Sequence, residues 1–402
     1  MIPEINLDDF KYELPEEKIA FFPKRERGNS NLLVAYSKSK KIIDANFSEI
    51  SAYLPKDSIL FVNKTKVLNA RIRFQKETGA FIEFFLSKPL LPSTANAITL
   101  SAKQSVVWEC LIGGRVKLGQ EFLINKDILL TAKVLTKEGN ICQIKFDWPA
   151  DLTFSEVVSI VGNVPLPPYI KRIAEDKDKQ RYQTVFAKEM GSVAAPTAGL
   201  HFTPEILQQI EKQNILIEEL TLHVGLGTFN PIKDNNIASH KMHNESISIN
   251  LEQVRLLAKS IGNKPITAVG TTSCRTLETL YVLGNKIYLN DFKYGDLLAS
   301  QWDYYNFENK LSPIDSLNEV VNYYEKNNLE TIEGNTELLI IPGYNYNIIN
   351  NLITNFHEPK STLILLVAAF LGHDFQKAIY QHALEKDYYF LSYGDSNLLI
   401  ND

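Results

Sequence analysis

The chain has 402 residues, 45% apolar and 22% charged, an ordinary globular composition whose length suggests two to three domains. With 42 basic against 47 acidic side chains its net charge is −5, which excludes a uniformly basic surface, so a nucleic-acid partner would have to meet local basic patches. Cys110, Cys142 and Cys274 lie far apart and form no Cys-x-x-Cys pair, which argues against a disulfide framework or a cysteine zinc site and fits a reducing cytoplasm.

In chain order, the acidic start at residues 1–10 lacks a basic or apolar leader pattern, so no signal peptide is expected. Residues 32–36 and 58–62 read as strands, the second apolar throughout, as in a strand buried on both faces. From 71 to about 146 the texture changes to short β-branched and aromatic runs at 81–86, 97–100, 106–112, 121–124, 132–135 and 142–146. Their even spacing, with no long helical pattern between them, predicts a small inserted β-barrel. A helix at 155–161 leads into Pro165-Leu-Pro-Pro-Tyr-Ile170, a stiff extended connector, and then into a charged, solvated stretch at 173–180.

Strand–helix alternation then resumes. Thr203 as N-cap and Pro204 at the first helical position start a helix, and strands follow at 216–224 and 246–249. A helix at 251–260, a strand at 266–269 and a helix opening at Gly270 come next, whereas residues 283–335 are Asn-, Tyr- and Lys-rich without a usable motif. A strand at 337–341, a helix around Ile348, a buried helix over the apolar run 363–371 and a last strand at 388–392 complete the expected elements. That apolar run is far short of the roughly 20 residues of a membrane span. The predicted class is α/β: a larger α/β domain with a mixed, largely parallel sheet over 1–70 and 151–402, interrupted by a small β-barrel domain over 71–150.

Five of the seven histidines, His201, His223, His240, His243 and His357, sit in Gly-, Pro- or polar-rich stretches beside predicted element ends, where α/β folds place ligand sites. His201 closes the small-residue loop Gly-Ser-Val-Ala-Ala-Pro-Thr-Ala-Gly-Leu-His-Phe at 191–202, which is either a packed crossover with a buried histidine or the floor of a site. Histidine titrates near neutrality and suits proton transfer. His240-x-x-His243-x-Glu245 lacks the helical zinc spacing, and no metal is expected there. Thr271, Thr272, Ser273 and Arg275 open a helix after a strand, which suits a carboxylate or phosphate, or simply caps the helix. Asp395 in Ser-Tyr-Gly-Asp is a turn residue or a base.

Taken together, collinear stretches resemble the S-adenosylmethionine:tRNA ribosyltransferase-isomerases of queuosine biosynthesis. They include Pro165-Leu-Pro-Pro-Tyr-Ile170, Arg181-Tyr-Gln-Thr-Val185, the loop at 191–202, Thr221-Leu-His-Val-Gly225, Gly227-Thr-Phe229 and His240-x-Met-His243. Val269-Gly-Thr-Thr-Ser273 with Arg275, Pro342-Gly-Tyr344, Thr354-Asn-Phe-His357, Ser361-Thr-Leu363 and Ser392-Tyr-Gly-Asp395 continue the match. The resemblance implies transfer and isomerisation of the ribosyl part of S-adenosylmethionine onto 7-aminomethyl-7-deazaguanine (preQ1) at the tRNA wobble position. S-adenosylmethionine is consumed as a co-substrate, with no prosthetic group and no metal, and the expected protein is a cytoplasmic monomer.

On that basis His201, His223, His243, His357 and Asp395 are the expected catalytic groups. Thr197, Gly199, Gly225, Gly227, Thr271, Thr272, Ser273, Arg275 and Asn355 are the expected substrate-binding ones, and Lys64, Lys66 and Arg71 the RNA-binding ones. The pattern departs from the family at Asn31 (usually Arg), Lys64 (usually Asp), Cys274 (usually Val) and Glu358 (usually Leu), and residues 283–335 are longer than usual. Two other readings stay open: a paralogue acting on another base or sulfonium donor, and a silent tRNA-binding relative. A methyltransferase is disfavoured, because no strand opens into a Gly-rich fingerprint.

Overall fold

The computed structural model describes residues 2–76, 79–125, 128–149, 151–225, 227, 232, 236–292 and 297–402. Thr228 and Phe229 of the Gly-Thr-Phe stretch lie outside the described residues. Two large sheets organise the rest. Edge to edge, the ten-stranded sheet runs Leu298–Ala299, Thr331–Thr336, Glu245–Asn250, Leu216–Leu222, Ile59–Asn63, Ile266–Val269, Asn351–Asn355, Ser396–Ile400, Asn31–Tyr36 and Ile42–Asn46.

Its middle four strands, Leu216–Leu222 through Asn351–Asn355, are parallel neighbours. Ile59–Asn63, Ile266–Val269 and Asn351–Asn355 are buried at every position, as continuous apolar runs covered on both faces should be. Outside this block, two parallel and four antiparallel pairings mix, so the sheet is mixed, with its parallel pairings concentrated at the centre.

The seven-stranded sheet is antiparallel and holds the strands from Arg71–Gln75 to Ile141–Asp147, with Gly162–Asn163 added at one edge. It curls: Phe122 of the far strand lies 5.9 Å from Phe74 and 5.2 Å from Phe84 at the near end. No ladder joins Arg71–Gln75 to Glu121–Asn125 among the described residues, so it is a half-barrel and not the closed barrel expected.

Four local expectations give way to tertiary context. Residues 97–100, read as a strand, belong to the helix Asn96–Ser101. Residues 337–341 form no strand; their backbone is held partly by tyrosine hydroxyls, Tyr305 Oη donating to Leu339 O and accepting from Ile341 N–H. Around Ile348 there is no helix. The buried Glu278 carboxylate instead accepts the N–H groups of Asn347, Ile348 and Ile349 and the Tyr344 hydroxyl, and a helix would have turned those N–H groups inward on itself. The last strand is Ser396–Ile400, while 388–392 bends around Asp395.

Residues 283–335 are integral to the fold. They complete the helix Gly270–Tyr288, supply two strands of the large sheet, and pack the helix Pro313–Lys326 on the long one, where Ser316 Oγ donates to Tyr281 O at 2.7 Å. The charged stretch at 173–180 is mostly exposed, as expected, except at Asp178, which is fully buried and paired bidentately with Arg172. Among the described residues no single helix is long and apolar enough to cross a membrane.

Candidate active site

A cavity of about 460 Å³ opens at the carboxyl ends of the central parallel strands, where open α/β sheets place ligands. That volume suits a small organic molecule. Its walls come from four places: Ala194–Ala198 of the small-residue loop, Gly270–Thr272, Thr354–Pro359 with Ser361–Leu363, and Pro168–Tyr169 facing Leu391–Ser392. Gly270 has φ +85°, a left-handed conformation that glycine adopts without strain. It turns the chain from the strand Ile266–Val269 directly into the 19-residue helix Gly270–Tyr288, presenting Thr271 and Thr272 to the cavity. Thr272 Oγ1 is buried and has no hydrogen-bond partner among the described residues.

His357 is on this wall. Its Nε2 lies 2.9 Å from Thr354 Oγ1, and its Nδ1 has no protein hydrogen bond among the described residues. Burial lowers its pKa to about 3, so the ring is uncharged. Its main chain is fixed independently: the N–H donates to Tyr380 Oη at 3.1 Å and the carbonyl accepts the Tyr12 hydroxyl.

His201 stands one layer behind. Asn355 Nδ2 donates to Leu391 O at 3.1 Å, which fixes the orientation of the amide, and the same nitrogen faces His201 Nε2 at 3.2 Å. Nε2 is therefore the acceptor and Nδ1 carries the proton, donating to Ser30 Oγ at 2.8 Å. Asn355 Oδ1 accepts from Thr197 Oγ1 at 3.1 Å, so the histidine sets the amide that sets a cavity hydroxyl. Desolvation, with Lys24 and Arg27 nearby, lowers the His201 pKa to about 3.

Both rings would titrate near 6.5 in the unfolded chain and near 3 in the fold. Unfolding between these values takes up protons, so stability that is complete at neutral pH is lost as the pH falls below about 6.5, by up to about 1.4 kcal/mol per pH unit for each ring. Urea unfolding at about pH 7 and pH 5 is expected to show this loss, with a shallower dependence in His201→Asn. Equal slopes for the two chains would rule the explanation out.

The other expected catalytic groups lie elsewhere. His223 is not among the residues lining the cavity; its Nδ1 lies 2.9 Å from Thr65 Oγ1, which lies 2.7 Å from Ser192 Oγ. Burial lowers its pKa, partly offset by Glu189. His243 packs over Gly227, where a Cβ would lie 1.9 Å from the ring, so Gly227 makes room for a histidine and not for a ligand. Asp395 is fully buried and saturated by Lys24 Nζ at 2.7 Å, the Asn31 N–H at 2.7 Å, the Asn31 side chain and the Tyr389 N–H. It pins the N-terminal segment to the C-terminal one and is not placed to act as a base.

Of the expected substrate-binding residues, Thr197, Thr271, Thr272 and Asn355 line the cavity. Gly199 instead packs on Thr184, where a Cβ would come within 2.9 Å, and the Gly225 N–H donates to Glu245 at 3.2 Å. Ser273 is buried within the helix. Arg275 is paired with Glu245 and donates to Leu338 O, in a small neighbouring hollow shared with His240 and His243. Its Nε and Nη1 are thus spent on the loop and the neighbouring segment, while Nη2 is buried without a hydrogen-bond partner among the described residues.

Lys64 and Lys66 flank Thr65 on the strand Thr65–Val67, Lys64 lying 3.6 Å from Glu189. Arg71 stacks on Phe85 and, with Arg73 and Arg172, borders a second cavity of about 210 Å³ beside the half-barrel. Tyr169, in the Pro-rich connector, is a half-buried cavity tyrosine whose hydroxyl lies 2.5 Å from Ser392 Oγ. Among the described residues no group of three or more His, Cys, Asp or Glu is arranged to hold a metal ion.

The model of a family described as queuosine biosynthesis protein matches residues 7–399. The S-adenosylmethionine:tRNA ribosyltransferase-isomerase of Sulfurihydrogenibium sp. is 37% identical, and that of Thermotoga petrophila 36%; each alignment covers 98% of this chain and 100% of the relative. A crystal structure of S-adenosylmethionine tRNA ribosyltransferase from Thermotoga maritima is similar at 28% identity and a TM-score of 0.48, covering 98% of this chain and all of that one. By the family match over nearly its whole length and by these full-length relatives, the chain belongs to the queuosine biosynthesis protein family of S-adenosylmethionine:tRNA ribosyltransferase-isomerases.

Proposed function

We propose that the chain transfers and isomerises the ribosyl part of S-adenosylmethionine onto 7-aminomethyl-7-deazaguanine at the wobble position of tRNA, leaving epoxyqueuosine and releasing adenine and methionine. The observation that carries this reading is the meeting of three family stretches, at 194–198, 270–272 and 354–357, on one cavity at the parallel strand ends. S-adenosylmethionine enters as a substrate and is consumed.

The sulfonium acidifies the adjacent C5′–H, and His357, uncharged and with Nδ1 unengaged among the described residues, is the lining group suited to accept that proton or to orient the sugar. Thr271, Thr272 and the helix N-terminus suit the methionine carboxylate, because unpaired N–H groups and the helix dipole both favour an anion. Thr197 and Asn355, set by His201, hold the ribose side, and Tyr169 with Ser392 closes the cavity against water. The tRNA approaches over Lys64, Lys66 and Arg71, with residues 71–150 acting as a separate half-barrel domain that carries part of that surface. The working compartment is the cytoplasm, and the working unit a monomer.

The test is incubation with S-adenosylmethionine and tRNA carrying the aminomethyl base, followed by mass spectrometry. Free adenine with an epoxycyclopentanediol adduct on the nucleoside is the expected result. S-adenosylhomocysteine, or tRNA retained without product, would overturn the reading.

A further inference from the structure

Among the described residues lining the large cavity, Glu358 is the one carboxylate, and no lysine or arginine lines it. Its neighbours on the wall are neutral: threonines, Asn355, Tyr169 and the uncharged His357. The Glu358 side chain has no ion-pair partner and accepts no hydrogen bond among the described residues, the Ser361 hydroxyl going to its main-chain carbonyl instead. Burial alone raises its pKa, and its charge is felt at the hydroxyls of both Tyr12 and Tyr169. A half-buried carboxylate without a partner among the described residues is costly to desolvate further, so it favours a ligand that brings a counter-charge. It also makes the cavity locally selective, because its charge attracts a cationic group that enters beside it.

We infer that Glu358 is a substrate-binding residue that pairs with a cationic group, an ammonium or sulfonium, entering the cavity. The inference rests on the proposed reaction, whose substrates carry such groups in two places: the methionine end of S-adenosylmethionine and the aminomethyl arm of the tRNA base.

Glu358→Gln keeps the shape and removes the charge, and Glu358→Leu removes both. Equilibrium dialysis of S-adenosylmethionine alone, without tRNA, is compared with steady-state KM and kcat for each substrate. A charge-assisted contact predicts about a tenfold or greater rise in one of two quantities, with kcat within about threefold. A weaker Kd for S-adenosylmethionine assigns the partner to its methionine end; a higher KM for tRNA alone assigns it to the base. The leucine variant is expected to melt at the same or a higher temperature than the wild type, since it removes a half-buried carboxylate that has no partner among the described residues. Unchanged Kd and KM in both variants, or a fall in kcat alone, would overturn the inference. Wild-type turnover, measured first, tests the reaction separately, and the dialysis does not depend on turnover.

Discussion

A His357→Ala chain is expected to release adenine from S-adenosylmethionine at least about a hundredfold more slowly than the wild type, with little change in thermal midpoint. The two halves of this expectation come from different atoms. The loop is held through the main chain of residue 357, whose N–H and C=O are bonded to Tyr380 and Tyr12, and the substitution leaves both bonds in place. The ring itself bonds only Thr354 among the described residues, and its loss enlarges a cavity that already exists. A ring uncharged down to about pH 3 is always in its proton-accepting form at neutral pH, so its own titration adds no inflection to kcat between about pH 5 and 8. His201→Ala makes the contrast. It releases Ser30 and Asn355 together, so it is expected to lower the midpoint and to raise KM more than it lowers kcat. Single-turnover rates and melting curves on the two variants separate the roles. A His357→Ala chain with near-normal turnover would remove this histidine from the chemistry.

What the sequence made legible follows from how local each cause is. The buried strand at 59–63 and the helix beginning at Thr203 announce themselves within a few residues, through an unbroken apolar run and an N-cap followed by proline. The turn at 347–349 does not, because its donors are satisfied by Glu278, some 70 positions earlier in the chain. Asp395 looked like a candidate base for the same reason: only the fold brings Lys24 and Asn31 to it. The loop at 191–202 was readable as small and backbone-exposing, and residues 194–198 do line the cavity. Sequence could not say that its histidine turns inward, since this depends on Ser30 and Asn355 arriving from the two ends of the chain. Several motif residues thus converge on one cavity, while the division between groups that face it and groups that hold those groups is a property of packing.

Arg275 is where that division has the largest energetic consequence. The Arg275 side chain is 9% exposed and that of Glu245, facing it, 2%, so each charge is nearly desolvated and depends on the other. Glu245 also accepts the Gly225 N–H, and Arg275 donates to Leu338 O, so the pair ties together the loop after one strand, the long helix and the segment before Pro342. Glu245→Ala leaves the arginine buried without its counter-charge and is expected to lower stability by about 3–5 kcal/mol. Replacing both partners, Arg275→Met with Glu245→Leu, removes the charge that was stranded, and is expected to recover most of the loss, since apolar substitutes for buried pairs are often neutral. If Arg275 instead served as the anchor for the substrate carboxylate, Arg275→Met alone would weaken S-adenosylmethionine binding while leaving the unfolding midpoint intact. A double-mutant cycle by urea denaturation, run beside dialysis of S-adenosylmethionine on the same four chains, separates the two. The geometry predicts a large coupling in stability, with binding that follows the folded fraction.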